Sequence, residues 1–235
     1  MKKAILVVTH ERSGTHLLIN MINYKNNGDF SAVGKLPSSV NLPYTIEVYK
    51  DYVYKYILTN RYNPDVISKS HHQVEFYMDF IDFLLENYYV IYLKRDIKDV
   101  LVSYYLFLNR SDYVNGKPIP IDGFPEFKKW IFMNPDEVGY KFIDSNPDPH
   151  VIIKPRDYID RYYLNICGWE KYKNEVLTVN YENILLNYKE EKIKIEDFLN
   201  REISEKIPDI GDKNLPNFYP NRGVIGAYKD YMDKK

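Results

Sequence analysis

The sequence predicts an α/β fold of three layers, a central parallel sheet of about four to five strands flanked by helices on both faces. Short apolar runs, rich in β-branched and aromatic residues, recur at 4–8, 66–67, 89–93 and 176–179. Each is too short to cross a membrane and has the unbroken hydrophobicity of a strand buried on both sides. Amphipathic stretches of helical spacing separate them, the pattern of parallel strands joined by crossover helices.

After the first run come Arg12, Ser13, Gly14 and Thr15, and then Leu17, Leu18, Met21 and Ile22 on one helical face, so residues 4–22 read strand, tight loop, helix. Two readings of the loop stand. It is an ordinary strand-to-helix turn with a capping threonine, or it cradles a polyanion. A helix start leaves N–H groups unpaired and carries partial positive charge. Gly14 would let the backbone approach an anion, Ser13 and Thr15 would offer hydroxyls, and Arg12 a permanent charge. The spacing is not the G-x-x-x-x-G-K-[ST] of nucleotide triphosphatases.

Residues 26–41 read as a long polar loop, and Pro43 opens a helix over 44–60 with Tyr49, Tyr52, Val53, Tyr56 and Ile57 on one face. Most of the 24 tyrosines are expected to pack, apolar rings with a polar tip. The second strand runs into Lys69-Ser70-His71-His72, and a helix over 74–87 turns Phe76, Phe80, Phe83 and Leu84 inward. The third strand runs into Lys94-Arg95, and Asp96 caps a helix over 97–108. Residues 109–125, rich in Gly, Pro, Asn and Asp, read as a lid or substrate wall. Helices follow at 125–133, 135–144 and 157–172, the last placing Cys167 and Trp169 in the core. Beyond the fourth strand, helices fill 183–200 with a solvated charged face at 189–194, and 207–221 is coil. Glu75 reads as a helix-start carboxylate and His72 as structural; His10 and His150 lack ligating company, so no metal is expected.

With 235 residues, 45% of them hydrophobic, the chain suffices for one domain over 1–235. A net charge of −1 gives no electrostatic reason for a nucleic-acid partner. The run after Lys2-Lys3 is too short for a secretory leader, no apolar run is long enough for a bilayer span, and the single Cys167 excludes an intrachain disulfide. A cytoplasmic protein without membrane partners is expected. Ligands of parallel sheets sit beyond the carboxyl ends of the strands, which gathers residues 12–15, 69–72 and 94–95 on one edge.

Five segments in order then resemble the PAPS-dependent sulfotransferase family of the cytosolic type. Arg12-Ser13-Gly14-Thr15-His16-Leu17 resembles its K-S-G-T-T-W phosphosulfate loop, and Lys69-Ser70-His71 its catalytic K-T-H. Arg95 followed by Ser103 is similar to its 3′-phosphate signature, the most specific of the five. Val179-Asn180-Tyr181-Glu182 resembles a strand end whose tyrosine contacts the adenosine side. Asn221-Arg222-Gly223 with Gly226 and Tyr228-Lys229 resembles the late R-K-G-x-x-G-D-W-K segment over the 3′-phosphate. There are departures: Arg12 stands for lysine, His16 for threonine, Leu17 for the tryptophan that stacks on adenine, and Asn221 for arginine. The chain is also shorter than typical relatives, and the family's dimer segment has no match.

The resemblance implies a P-loop-like fold and transfer of a sulfonate from 3′-phosphoadenosine-5′-phosphosulfate (PAPS) to a hydroxyl or amine of a small-molecule, phenolic or carbohydrate acceptor, leaving PAP. It implies His71 as base, Lys69 and Arg12 as catalytic cations, and Arg95, Ser103 and Arg222 as the grip on the 3′-phosphate. Arg12, Ser13, Gly14, Thr15, His16, Leu17, Tyr181, Asn221 and Gly223 would complete the donor site. His16 is expected to cap the helix or to stand in solvent. The alternatives are an ATP-dependent P-loop-like kinase of a small molecule and an inactive nucleotide-binding relative. Against the first stands the missing Lys-Ser/Thr pair. Against the second stand Lys69 and His71.

Overall fold

The computed structural model describes residues 3–23, 46–108, 123–132, 155–208 and 224–232. Strands β1 (Ala4–Thr9), β2 (Ile67–Ser70), β3 (Tyr88–Lys94) and β4 (Val176–Asn180) form one parallel sheet in the order β2-β1-β3-β4. The helices are α1 (Thr15–Ile22), α2 (Ile46–Asn60), a 3₁₀ helix (Val74–Phe80), α3 (Ile81–Asn87), α4 (Ile97–Leu108), α5 (Phe124–Phe132), α6 (Pro155–Glu170), α7 (Tyr181–Leu186), α8 (Tyr188–Leu199) and α9 (Lys229–Met232). Two compact units result, Met1–Arg95 with Asn165–Gly223, and Asp96–Leu164 with Val224–Lys235.

The first unit holds the sheet, and the alternation of side chains along its strands sorts the core into two layers. Ala4, Leu6, Val8, Val90, Tyr92 and Val176 turn to one face, against Val53 and Ile57 of α2, Tyr77 of the 3₁₀ helix, Leu84 of α3 and Trp169. Ile5, Val7, Ile91, Leu93 and Val179 turn to the other, against Leu18 and Met21 of α1, Ile184 of α7 and Ile195 of α8. Burial on both faces is why these strands read as continuous apolar runs. Among the described residues no helix is long and apolar enough to cross a membrane.

In the second unit Tyr105 of α4 packs against Phe124 and Phe127 of α5 and Tyr231 of α9, with ring centroids 5.3, 5.4 and 6.2 Å away. Asp96 caps α4 as expected, its Oδ1 accepting from Lys98 N at 2.7 Å.

Three expectations need correction. The helix over 74–87 is two elements, a 3₁₀ helix and α3, because the three-residue period lines up Val74, Tyr77 and Phe80 against one core face. The helical stretch 183–200 begins at Tyr181 and breaks at Asn187, whose φ of −131° is not helical. Cys167 is exposed, not core: Asn165 and Trp169, one turn apart on α6, take the buried side and leave Cys167 opposite. The expected loop over 26–41 and helix over 135–144 lie outside the described residues, as do 109–122 and 209–221.

Glu196 of α8 accepts from Lys192 Nζ at 2.9 Å and from Ile203 N at 2.8 Å, and these bonds, Lys192 first, hold its carboxyl below the usual carboxylate range. A folded-state pKa below the unfolded one gives stability present above the unfolded value, ~4.3, and lost as pH falls through the folded one. Glu196→Gln is therefore expected to lower Tm by roughly 1–3 °C at pH 7. In melts at successively lower pH, below the unfolded carboxylate value, the difference should shrink.

Candidate active site

A parallel sheet puts all four strand C-termini on one edge, and each is followed within two or three residues by a chemistry-bearing side chain. Beyond β1 the chain curls through Arg12 at φ 68° and Gly14 at φ 100°, with Ser13 N donating to His10 O at 3.3 Å. Left-handed backbone costs a side-chain-bearing residue about 1 kcal/mol or more, so Arg12 carries local strain at the loop's centre. Gly14 caps α1, and Leu18 N bonds its carbonyl at 3.3 Å. The helix start, with its unpaired N–H groups and positive dipole end, therefore opens at the loop. Ser13 and Thr15 are buried.

β2 brings the next two groups. Ser68 and Ser70 share one face, where Ser68 Oγ reaches Tyr56 OH and Tyr77 OH donates to Ser70 Oγ at 2.6 Å. Burial pushes the Tyr77 phenol's pKa well up, so it stays a donor. Lys69 takes the opposite face, toward α1, and its Nζ donates to His16 Nε2 at 3.2 Å. His16 is thus neither a cap nor in open solvent; it holds the ammonium of Lys69.

The two neighbouring histidines are wired oppositely. Ser70 Oγ accepts from Tyr77 OH and from His72 N at 3.0 Å, so its own proton goes to His72 Nδ1 at 3.1 Å. His72 stacks on Phe76 with centroids 3.6 Å apart, the structural role expected of it. His71 Nδ1 instead lies 3.0 Å from both the carbonyl and the hydroxyl oxygen of Thr9. One turn apart on α6, Asn165 Nδ2 and Trp169 Nε1 approach the carbonyls of His71 and His72 at 3.5 and 3.4 Å.

Beyond β3, Arg95 is buried and donates from NH1 to the carbonyl of Arg12 at 3.2 Å, while its guanidinium lies 4.3 Å over the ring of Tyr181, the first residue after β4. The same ring presses on the glycine: a Cβ at Gly14 would lie 2.3 Å from Tyr181 Cδ2. Loop, Lys69, His71, Arg95 and Tyr181 are therefore one connected cluster. Lys94 turns away to Glu170 at 3.1 Å.

Leu17 is buried with Ile5 and Val7 in the core, on the apolar face of α1. Tyr181 is 2% exposed and packs against both Gly14 of the loop and Arg95. Ser103 belongs to the second unit, buried on α4 one turn after Asp99. Asp99 Oδ2 and Oδ1 accept from Gly226 N at 2.8 Å and Tyr228 N at 3.2 Å, tying part of the late segment to the helix that carries Ser103. Asn221, Arg222 and Gly223 lie outside the described residues. Sequence reading missed Thr9, Asn165 and Asp99. Of these only Thr9 left a signal, a hydroxyl closing an otherwise apolar strand.

A parallel sheet whose first strand feeds an anion-type loop and a helix start defines the P-loop-like α/β class. Within it, the chain belongs to the sulfotransferase family, whose Sulfotransferase domain matches residues 2–217. It is 30% identical over 209 residues to Sulfotransferase 1E1 of Bos taurus, covering 87% of this chain and 61% of that protein. The chain thus spans less than two thirds of that relative's length. The crystal structure of mouse sulfotransferase SULT7A1 complexed with PAP aligns with a TM-score of 0.59 at 18% identity, covering 98% of this chain and 78% of that one. That likeness is one of fold.

Proposed function

We propose that the chain is a single-domain, cytoplasmic, metal-independent sulfotransferase that moves the sulfonate of PAPS to a hydroxyl or amine of a small-molecule, phenolic or carbohydrate acceptor. The observation that carries the reading is the attachment of two distant groups to one loop. His71 is bound to Thr9 at the loop's entrance, and Arg95 to the carbonyl of Arg12 at its centre. A base and a buried cation flank a helix start suited to a phosphosulfate.

In this reading His71 takes the acceptor's proton on Nε2, since Nδ1 is engaged by Thr9 and imidazole is the side chain suited to general-base work near neutrality. The acceptor oxygen or nitrogen attacks sulfur in line with the departing phosphate oxygen. Arg12, Lys69 and the N–H groups of α1 stabilise the charge that gathers there; Arg12 does so by charge and hydrogen bonds alone. Arg95, Ser103 and Arg222 hold the 3′-phosphate, which sets this donor apart from ordinary adenine nucleotides. Family membership and the segment order support the reading.

The thermal shift tests it. PAP at a hundredfold excess over its Kd should stabilise by about 2.7 kcal/mol, a rise of roughly 5–10 °C, and ATP–Mg by less than half as much. An equal or larger rise with ATP–Mg would turn the reading toward a kinase.

A further inference from the structure

Thr9 sits where the base meets the phosphate loop, and one arrangement of protons gives every one of these groups a partner. Its carbonyl, 3.0 Å from His71 Nδ1, can only accept, so Nδ1 carries the proton. The same N–H lies 3.0 Å from Thr9 Oγ1, which therefore accepts as well. Thr9's hydroxyl proton then goes to the other partner of that oxygen among the described residues, Thr15 Oγ1 at 2.7 Å. With its oxygen accepting from Thr9, Thr15 keeps its own proton to give away, at the first turn of α1 where the loop opens. Thr9 is fully buried and Thr15 is 5% exposed, so water does not compete strongly for these bonds.

We propose that Thr9 is the positioning residue of the reaction, a one-way hydrogen-bond relay from His71 through Thr9 to Thr15 that couples proton uptake at the base to anion stabilisation in the loop. The proposal rests on the sulfotransferase reading. The acceptor's proton goes to His71 Nε2 and the acceptor–sulfur bond forms, while the sulfur–oxygen bond to the 5′-phosphate breaks and its electron pair stays on that phosphate oxygen. No proton travels along the relay. His71, now imidazolium, donates more strongly from Nδ1, which polarises Thr9 O–H and makes Thr15 O–H a stronger donor at the moment the phosphate gains charge. Hydrogen bonds of this kind matter in the transition state more than in the ground state, so they act on kcat.

Thr9→Val keeps the branched shape of a buried strand residue and removes only the hydroxyl; Thr9→Ser keeps the hydroxyl. With PAPS and whichever acceptor in a panel of phenols, sugars, sterols and peptides turns over, Thr9→Val should lower kcat about tenfold to a hundredfold with the KM for PAPS within about threefold. Thr9→Ser should retain kcat within about threefold of wild type. Thr9→Val within about twofold of wild type in kcat, or Thr9→Ser no better than Thr9→Val, overturns the relay, and so does a rise in KM with kcat intact. A measurement on the unaltered protein guards against a variant that does not fold. Nitrogen-15 spectra of the histidines should show neutral His71 protonated at Nδ1 and bare at Nε2, and the opposite tautomer overturns the relay without reference to turnover. Failure of wild type to bind PAP by calorimetry and to sulfonate any acceptor would instead sink the sulfotransferase reading, which separates the two failures.

Discussion

His71→Ala is expected to lose about 10²–10⁴-fold in kcat for sulfonate transfer while PAP binds within about threefold of wild type. The size follows from removal of the imidazole that the reading assigns as base, whose Nδ1 is fixed by Thr9. His72 cannot take over, since its Nδ1 is spent on Ser70 and its ring is stacked on Phe76. Nucleotide affinity should survive because the groups assigned to the phosphates, from the loop and from Arg95, do not depend on the imidazole. Arg95 donates to Arg12's carbonyl and lies over the ring of Tyr181. Labelled PAPS in an acceptor assay reads the first quantity and calorimetry with PAP the second. Equal turnover in wild type and variant would remove His71 from the role of base, and absence of transfer in both, with PAP still bound, would mark an inactive nucleotide-binding relative.

The sheet was legible because its physics is local. Strands buried on both faces must be apolar at every position, so β1, β3 and β4 announced themselves, and a parallel arrangement then obliged residues 12–15, 69–71 and 95 to share an edge. Helix boundaries were less legible: nothing in the composition of 74–87 told a 3₁₀ segment from an α-helix, because the choice is made by which ring meets the sheet. Cys167 was misplaced for a related reason, since a helical period fixes relative faces and leaves to the tertiary fold which of them is inward. The site itself was read as residue types at strand ends. Its wiring was out of reach, because Thr9 and His71 are 62 residues apart, Arg12 and Arg95 83, and Asn165 and His71 94. His16 was the most instructive miss. A helix-start histidine looks like a cap until the strand beside it delivers an ammonium at 3.2 Å.

Gly14→Ala is expected to be the most damaging single methyl in the described residues. At φ 100° the backbone is in a region that L residues rarely adopt, and the added carbon would stand 2.3 and 2.5 Å from Cδ2 and Cε2 of Tyr181. Strain of this kind costs about 1–3 kcal/mol, and forcing a group into a filled space costs a similar amount. A total near 3 kcal/mol lowers Tm by roughly 6–12 °C in a chain of this size. Tyr181 has no easy retreat, because its ring is 2% exposed and is packed in the core layer that contains α1. If the ring moves instead of the loop, it leaves the Arg95 guanidinium it lies against, so either relaxation disturbs the cluster proposed to bind the donor. PAP affinity should therefore fall at least about tenfold, beyond what the loss of stability alone would cause at a temperature where the variant is still folded. Tyr181→Leu in the Gly14→Ala background separates the two costs: relief of the contact should recover part of the Tm, the backbone strain should remain, and PAP affinity should stay low because the prop under Arg95 is gone. A Gly14→Ala protein that melts within about 2 °C of wild type and binds PAP normally would mean that the loop does not rest on Tyr181.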